Sequence, residues 1–159
     1  MINIIKTDIS NIEMALKIRL EMLLEVNNLK DNSSFSNGFI ESILSYFSRR
    51  DQTTLLAIND ENMAVGCATI CYINIMPTFS HQSGKRAHLM NVYTNKDYRR
   101  QGIAQKIIGQ LIDEAKQKGV TEISLDATEA GMPFYESCGF VKNKDGMLLL
   151  INSNLGYNA

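Results

Sequence analysis

The chain of 159 residues is 45% hydrophobic and 21% charged, with a formal net charge of −1. That length suits a single domain over residues 1–159 with a sizeable core, and the near-neutral charge argues against a broad nucleic-acid surface. No apolar run approaches the ~20 residues of a membrane span. "MINIIKTDIS" lacks a basic region followed by an apolar block, so a cytoplasmic protein with no membrane partner is expected.

"NIIKT" reads as an opening strand. "DISNIEMALKIRLEMLLEVNN" has Ile12, Leu16, Leu20, Leu23 and Leu24 at helical spacing, with Ser10 and Glu13 placed as a capping box. A polar loop, residues 28–35, leads to a second amphipathic helix, "SNGFIESILSYFSRR". The period then changes: "QTTLLAIND" and "MAVGCATICYINIM" read as hairpin strands, followed by a loop and the strand "KRAHLMNVYT". Residues 101–118 return to helix with a stripe of Ile103, Ile107, Ile108, Leu111, Ile112 and Ala115, closed by Gly119. "TEISLDA" is a strand, "AGMPFYESC" a short helix, and "GFVKN" and "GMLLLI" two final strands.

The predicted order is β-α-α-β-β-β-α-β-α-β-β. The strand-helix-strand unit at 84–126 implies a parallel pair, so the fold class is α/β, or α+β with a mixed sheet. Cys67, Cys71 and Cys138 contain no C-x-x-C. Four strand residues hold Cys67 and Cys71 roughly 13 Å apart, so reduced thiols are expected and no metal site.

The stretch "YTNKDYRRQGIAQKI" sets Arg99 and Arg100 at a helix entrance, where the dipole disfavours cations, and puts Gly102 in the first turn. Asp97 could cap that helix, with the arginines merely solvated. Gly102 would then cost ~1 kcal/mol relative to alanine. Alternatively the entrance is an anion cradle. Uncapped N–H groups face the ligand, glycine removes a Cβ, and the arginines add charge-assisted bonds to phosphate. Neither G-x-x-x-x-G-K-[ST] nor G-x-G-x-x-G is present.

"Arg99-Arg100-Gln101-Gly102-Ile103-Ala104" resembles the R/Q-x-x-G-x-G/A signature of GNAT N-acetyltransferases, within "LMNVYTNKDYRRQGIAQKIIGQLIDEAKQKG". "PFYESCGF", about 30 residues further on, resembles the same family's LYE-x-x-GF segment. The resemblance implies a GNAT-like acyl-CoA N-acyltransferase fold, with acetyl-CoA as acyl donor. It also implies a pyrophosphate on the amides of Arg100 through Ala104, and pantetheine along the backbone of Val92 and Thr94. Tyr135 matches the tyrosine that protonates the departing thiolate, although its ring could equally pack in the core. The Val92 N–H is matched to carbonyl polarisation. Where many members carry a cofactor-contacting asparagine, this chain has Thr128.

Many members also hold a glutamate base on the central strands, yet no Asp or Glu occurs between Glu61 and Asp97. An alkylamine of pKa ~10 costs roughly 4 kcal/mol to hold neutral at pH 7, so a proton acceptor is needed. His88, which simple alternation places on the face of Val92 and Thr94, is one candidate; Glu129 and a water chain are others. The acceptor is expected to be a small-molecule or peptide amine, which the resemblance places beside the first two helices. Arg19 interrupts the first helix's apolar stripe. It either pairs with glutamates of its own helix or faces a cleft and binds an acidic acceptor. A homodimer through the apolar end "GMLLLINSN" is one arrangement the resemblance allows. The missing carboxylate leaves open a second class, a non-catalytic acyl-CoA-binding sensor. A nucleic-acid role for the arginine pair is disfavoured by the net charge.

Overall fold

Leu55 and Ala57 join one apolar cluster while Leu56 and Ile58 join another, as the two-residue period of a strand requires. A strand apolar on both sides must be covered on both faces, and this dictates three layers. A computed structural model describes residues 1–143 and 145–151. One sheet runs β1 (Asn3–Lys6), β2 (Gln52–Ile58), β3 (Ala64–Asn74), β4 (Lys85–Thr94), β5 (Glu122–Leu125) in spatial order. The first four strands are antiparallel, and β4 with β5 is parallel. The helices are α1 (Ile12–Val26), α2 (Asn37–Phe47), α3 (Ile103–Gln117) and α4 (Met132–Ser137).

Helix α3 covers one face: Ile103, Ile107, Ile108, Leu111 and Ala115 are buried against Leu55, Ala57, Ala68, Ile70, Ala87 and Leu89. Helices α1 and α2 cover the other, where Ala15, Ile18, Met22 and Phe47 pack on Leu56, Cys67 and Tyr93. Gly66 lets α3 start tight against the sheet, because a Cβ there would meet Ile103 Cγ2 at 3.0 Å. Gly119, at φ +76, ends α3 as expected. The three cysteines are free. Among the described residues no helix is long and apolar enough to cross a membrane, and no metal-binding cluster occurs.

Three expectations are corrected. The Ser10–Glu13 capping box does not form, because α1 begins at Ile12 and its N-cap, Asn11, makes no side-chain cap bond. Ser10 is taken up by Asp8, whose Oδ1 accepts from the Ser10 amide at 2.8 Å. Helix α3 begins at Ile103, two residues later than the periodicity indicated. Finally, residues 139–143 and 146–151 form no strand. Gly139 reverses the chain at φ +97, and Phe140 turns its ring onto Tyr135 at 6.1 Å. Met147 through Ile151 are exposed, and a strand exists only where an edge pairs with it. Residues 152–154, the rest of the expected dimer-forming end, lie outside the described residues.

Leu111 is fully buried. Leu111→Ala should lower the unfolding free energy by about 2–5 kcal/mol, read as a lower urea midpoint at unchanged slope.

Candidate active site at the opening between β4 and β5

The parallel pairing of β4 with β5 runs from Arg86↔Glu122 to Leu89↔Leu125 and stops, while β4 continues to Thr94. On the other side, the β3 register jumps between Thr69↔Met90 and Cys67↔Tyr93, so Asn91 and Val92 together oppose Ala68. This is a β-bulge. Asn91 sits at φ +56, a left-handed conformation that asparagine tolerates better than most side chains. Three contacts hold it. Its Nδ2 donates to Thr69 Oγ1 (3.1 Å), its Oδ1 accepts from Arg19 Nη1 (3.3 Å), and its carbonyl accepts from the Cys67 thiol (3.2 Å). Burial pushes that thiol up to about 12, so it stays protonated and able to donate.

The bulge overturns one expectation. Val92 packs against the α3-side cluster, as Leu89 does, and Tyr93 joins the α1-side cluster. His88, adjacent to Leu89, therefore faces α1 and α2, opposite to Val92 and Thr94. Met90 shares the His88 face, with its sulfur 3.8 Å from the Tyr46 hydroxyl of α2. His88 Nδ1 lies 2.8 Å from Ser124 Oγ, and Nε2 lies 3.7 Å from the Asp126 carboxylate.

Beyond Thr94 the chain makes a short 3₁₀ turn at Lys96–Tyr98, capped by Asn95 accepting from the Asp97 amide (3.0 Å). Asp97 thus does not cap α3. The N-cap of α3 is Gly102, at φ +75, with no side-chain cap. Arg100 is also left-handed, at φ +61. The amides of Arg100 through Gln105 have no acceptor among the described residues; the first intrahelical bond into the N-cap is Lys106 N–H to the Gly102 carbonyl (3.0 Å). Consecutive free amides around left-handed residues form a concave nest for an anion, and the helix dipole adds to it. A Cβ built on Gly102 meets nothing within 4 Å, so it would project into that open space.

The two arginines divide. Arg99 points away from the nest. Its Nε donates to the Thr94 carbonyl (2.9 Å), its Nη2 pairs with Glu25 of α1, and its guanidinium lies 5.8 Å from the Tyr93 ring centroid. The Tyr93 hydroxyl sits between Glu25 Oε2 (2.8 Å) and Glu21 Oε1 (3.0 Å), and Asn95 Nδ2 donates to Glu21 (2.6 Å). The Arg99 bond holds the Glu25 carboxyl below its usual range. This network pins the loop that carries the nest to α1. Arg100 is exposed and has no ion pair among the described residues. Gln101 Nε2 donates to the Asp97 carbonyl at 3.4 Å. Ile103 is buried under the helix start and Ala104 is half-buried beside it.

Helix α4 packs Phe134 and Tyr135 against the α3-side cluster that Val92 also joins. Thr128 organises its entry, accepting from the Gly131 amide at both its carbonyl (3.0 Å) and its hydroxyl (3.2 Å). Tyr135 packs between Phe134 and Phe140, with centroids at 5.2 and 6.1 Å. Its hydroxyl has no partner among the described residues, and burial raises its pKa above the ordinary phenol value. The phenol is therefore protonated at neutral pH and free to donate. Glu129 is exposed in the turn before α4. Sequence reading missed Asn91 and Glu25. An asparagine inside the apolar run "LMNVY", and acids four apart at Glu21 and Glu25, were the available signals.

A mixed sheet opened beside its fourth strand, with a nest of free amides at the mouth of the following helix, is the architecture of a coenzyme A-dependent acyltransferase. The chain belongs to the acetyltransferase (GNAT) family, which it matches over residues 20–140. It is 27% identical over 135 residues to glucosamine 6-phosphate N-acetyltransferase 1 of Dictyostelium discoideum, covering 84% of this chain and 80% of that protein. A shorter match, 37% over 57 residues, joins it to the ribosomal protein bS18-alanine N-acetyltransferase of Escherichia coli and covers 34% of this chain and 38% of the relative. A predicted acetyltransferase from Clostridium acetobutylicum, solved with acetyl-CoA, superposes with a TM-score of 0.82 at 25% identity over 94% of this chain and 96% of its own. The protein is an acyltransferase, and acetyl-CoA is its co-substrate.

Gly102→Ala should weaken coenzyme A binding by roughly tenfold or more by calorimetry. The positive φ should cost only about 1 kcal/mol of stability. The methyl would project into the open space beside the free amides, so affinity should fall far more than the melting temperature.

Proposed function

We propose that the protein transfers acetyl from acetyl-CoA to the amine of a small molecule by direct attack, with both substrates bound together. The observation that carries this reading is the run of free amides from Arg100 through Gln105 around Gly102. It suits the donor's pyrophosphate, with Arg100 and Gln101 at the rim. Arg99 acts from behind, fixing the loop through Glu25. Beyond Leu89 the β4 backbone has no β5 partner, which leaves the Val92 and Thr94 edge for strand-like pairing with pantetheine amides. The Thr128 hydroxyl stands at the α4 side of the same opening.

The roles follow from the chemistry of thioester aminolysis. The Val92 N–H, at the bulge, polarises the thioester carbonyl. Tyr135 protonates the departing thiolate, a role that its protonated and unpartnered hydroxyl supports. His88, on the α1–α2 face beside Ser124 and Asp126, takes the amine's proton. Glu129 is exposed and contributes through water at most. A small acceptor is favoured because the Dictyostelium glucosamine 6-phosphate enzyme matches most of this chain. Three free cysteines suit a reducing compartment, which supports a cytoplasmic location.

An amine screen that reads free coenzyme A thiol tests the assignment; no turnover with any primary amine would remove it. Tyr135→Phe should cut kcat by about 10²-fold with coenzyme A affinity unchanged. The alkaline limb assigned to Tyr135 should lie above the ordinary phenol value of ~10, because burial favours the neutral, donating form. That limb should vanish in the variant, and equal turnover by both proteins would strip Tyr135 of its role.

A further inference from the structure

We infer that Arg19 binds an anionic group, a carboxylate or phosphate, carried by the acceptor close to its amine. This rests on the acetyltransferase reading above and extends it to the other substrate. Arg19 lies on α1 and is only partly exposed. Its Nη1 donates to two neutral atoms, Asn91 Oδ1 at 3.3 Å and Met22 Sδ at 3.5 Å. It has no carboxylate within ion-pair distance among the described residues. Arg86, the other partly exposed arginine, has Glu122 at 3.4 Å. A guanidinium carries five donors and does not lose its charge, and a desolvated cation without a counter-ion is unfavourable.

The described residues supply no such counter-ion. The positions one turn away on α1 are Ala15, Leu16, Met22 and Leu23. The glutamates further along face elsewhere, Glu21 to Tyr93 and Asn95 and Glu25 to Arg99. The strands beneath contribute none, since residues 62–96 contain no Asp or Glu. The Nε and Nη2 of Arg19 have no partner among the described residues, and neither is among the side-chain atoms sealed from solvent.

The place matters as much as the charge. Arg19 touches the bulge residue adjacent to Val92, the group proposed to polarise the thioester. It lies on the sheet face that also carries Met90 and His88. An acceptor whose amine approaches the thioester on this face brings its neighbouring substituents within reach of the guanidinium. An anion there completes the missing ion pair and orients the amine in one step. The other use of Arg19, as a mere brace for Asn91 Oδ1, needs one neutral donor and would be met equally by an amide.

The test compares matched amines that differ only in charge: phosphoethanolamine against ethanolamine, and β-alanine against β-alanine amide. For the wild type, kcat/KM should favour the anionic member of at least one pair by about tenfold or more, the size of a charge-assisted bond. The phosphate and carboxylate arms show which acid is used. In Arg19→Gln the preference should fall below about twofold, mainly through KM, with coenzyme A affinity kept. Arg19→Lys should keep part of it. Calorimetry of the same four amines on the coenzyme A-loaded wild type gives a readout independent of turnover and of how the variants fold. Neutral amines bound or acetylated as well as their acidic partners would overturn this inference and leave the acetyltransferase reading intact. A preference that survives Arg19→Gln would overturn it too. Loss of coenzyme A binding by the wild type would instead sink the underlying reading.

Discussion

The left-handed backbone at Asn91 is the constraint on which the site depends. Two residues of β4 oppose one of β3 there, which bends and twists β4 more strongly than its neighbours. Pairing with β5 ends just before, at Leu89↔Leu125. From that point the two parallel strands are no longer paired, and this β4 edge is left without a strand partner among the described residues. A left-handed non-glycine residue costs about 1–2 kcal/mol. The structure offsets this by engaging both ends of the Asn91 amide and its carbonyl. The same bulge reverses which face each later β4 side chain occupies, separating His88 from Val92.

The arginine pair at the helix mouth acquires a physical explanation. Arg99 lies against the C-terminal part of α1, where Glu25 and the Tyr93 ring compensate its charge. Its Nε also ties down the last carbonyl of β4. The loop before α3 is therefore braced from outside by side chains, which leaves its amides uncommitted inside. Gly102 completes the arrangement twice over, by adopting φ +75 and by leaving open the space a Cβ would fill. An uncapped helix start is ordinarily a weakness. Here it is the feature that a diphosphate would satisfy.

The two faces of the sheet serve different substrates in the proposed reaction. Val92, Thr94 and Tyr135 belong with α3 and α4, the side suited to the donor. Arg19, Tyr46, Met90 and His88 belong with α1 and α2. Burial and the neighbouring Cys71 push the Tyr46 phenol up to about 12, so it stands on this face as a neutral group. The central bulge is where the two sides meet, which is where an amine and a thioester must come together.

Much of this was legible in the chain alone. Strand β4 was delimited correctly from "KRAHLMNVYT", because β-branched and apolar alternation bounded by turn residues is a local signal. The α3 stripe and its Gly119 stop were equally local. The uncapped mouth of α3 was legible at Gly102, since helix-end signals depend on a few adjacent residues. What the sequence could not reveal were relations between distant segments: the Arg99–Glu25 pair, the isolation of Arg19, and the face on which His88 sits. The two final strands failed for the same reason, since residues 139–143 and 146–151 have strand composition but no strand partner in the fold. Periodicity determined which elements form. Only tertiary packing decided where the β4 ladder breaks, because a bulge is set by the register of two strands and is written in neither alone.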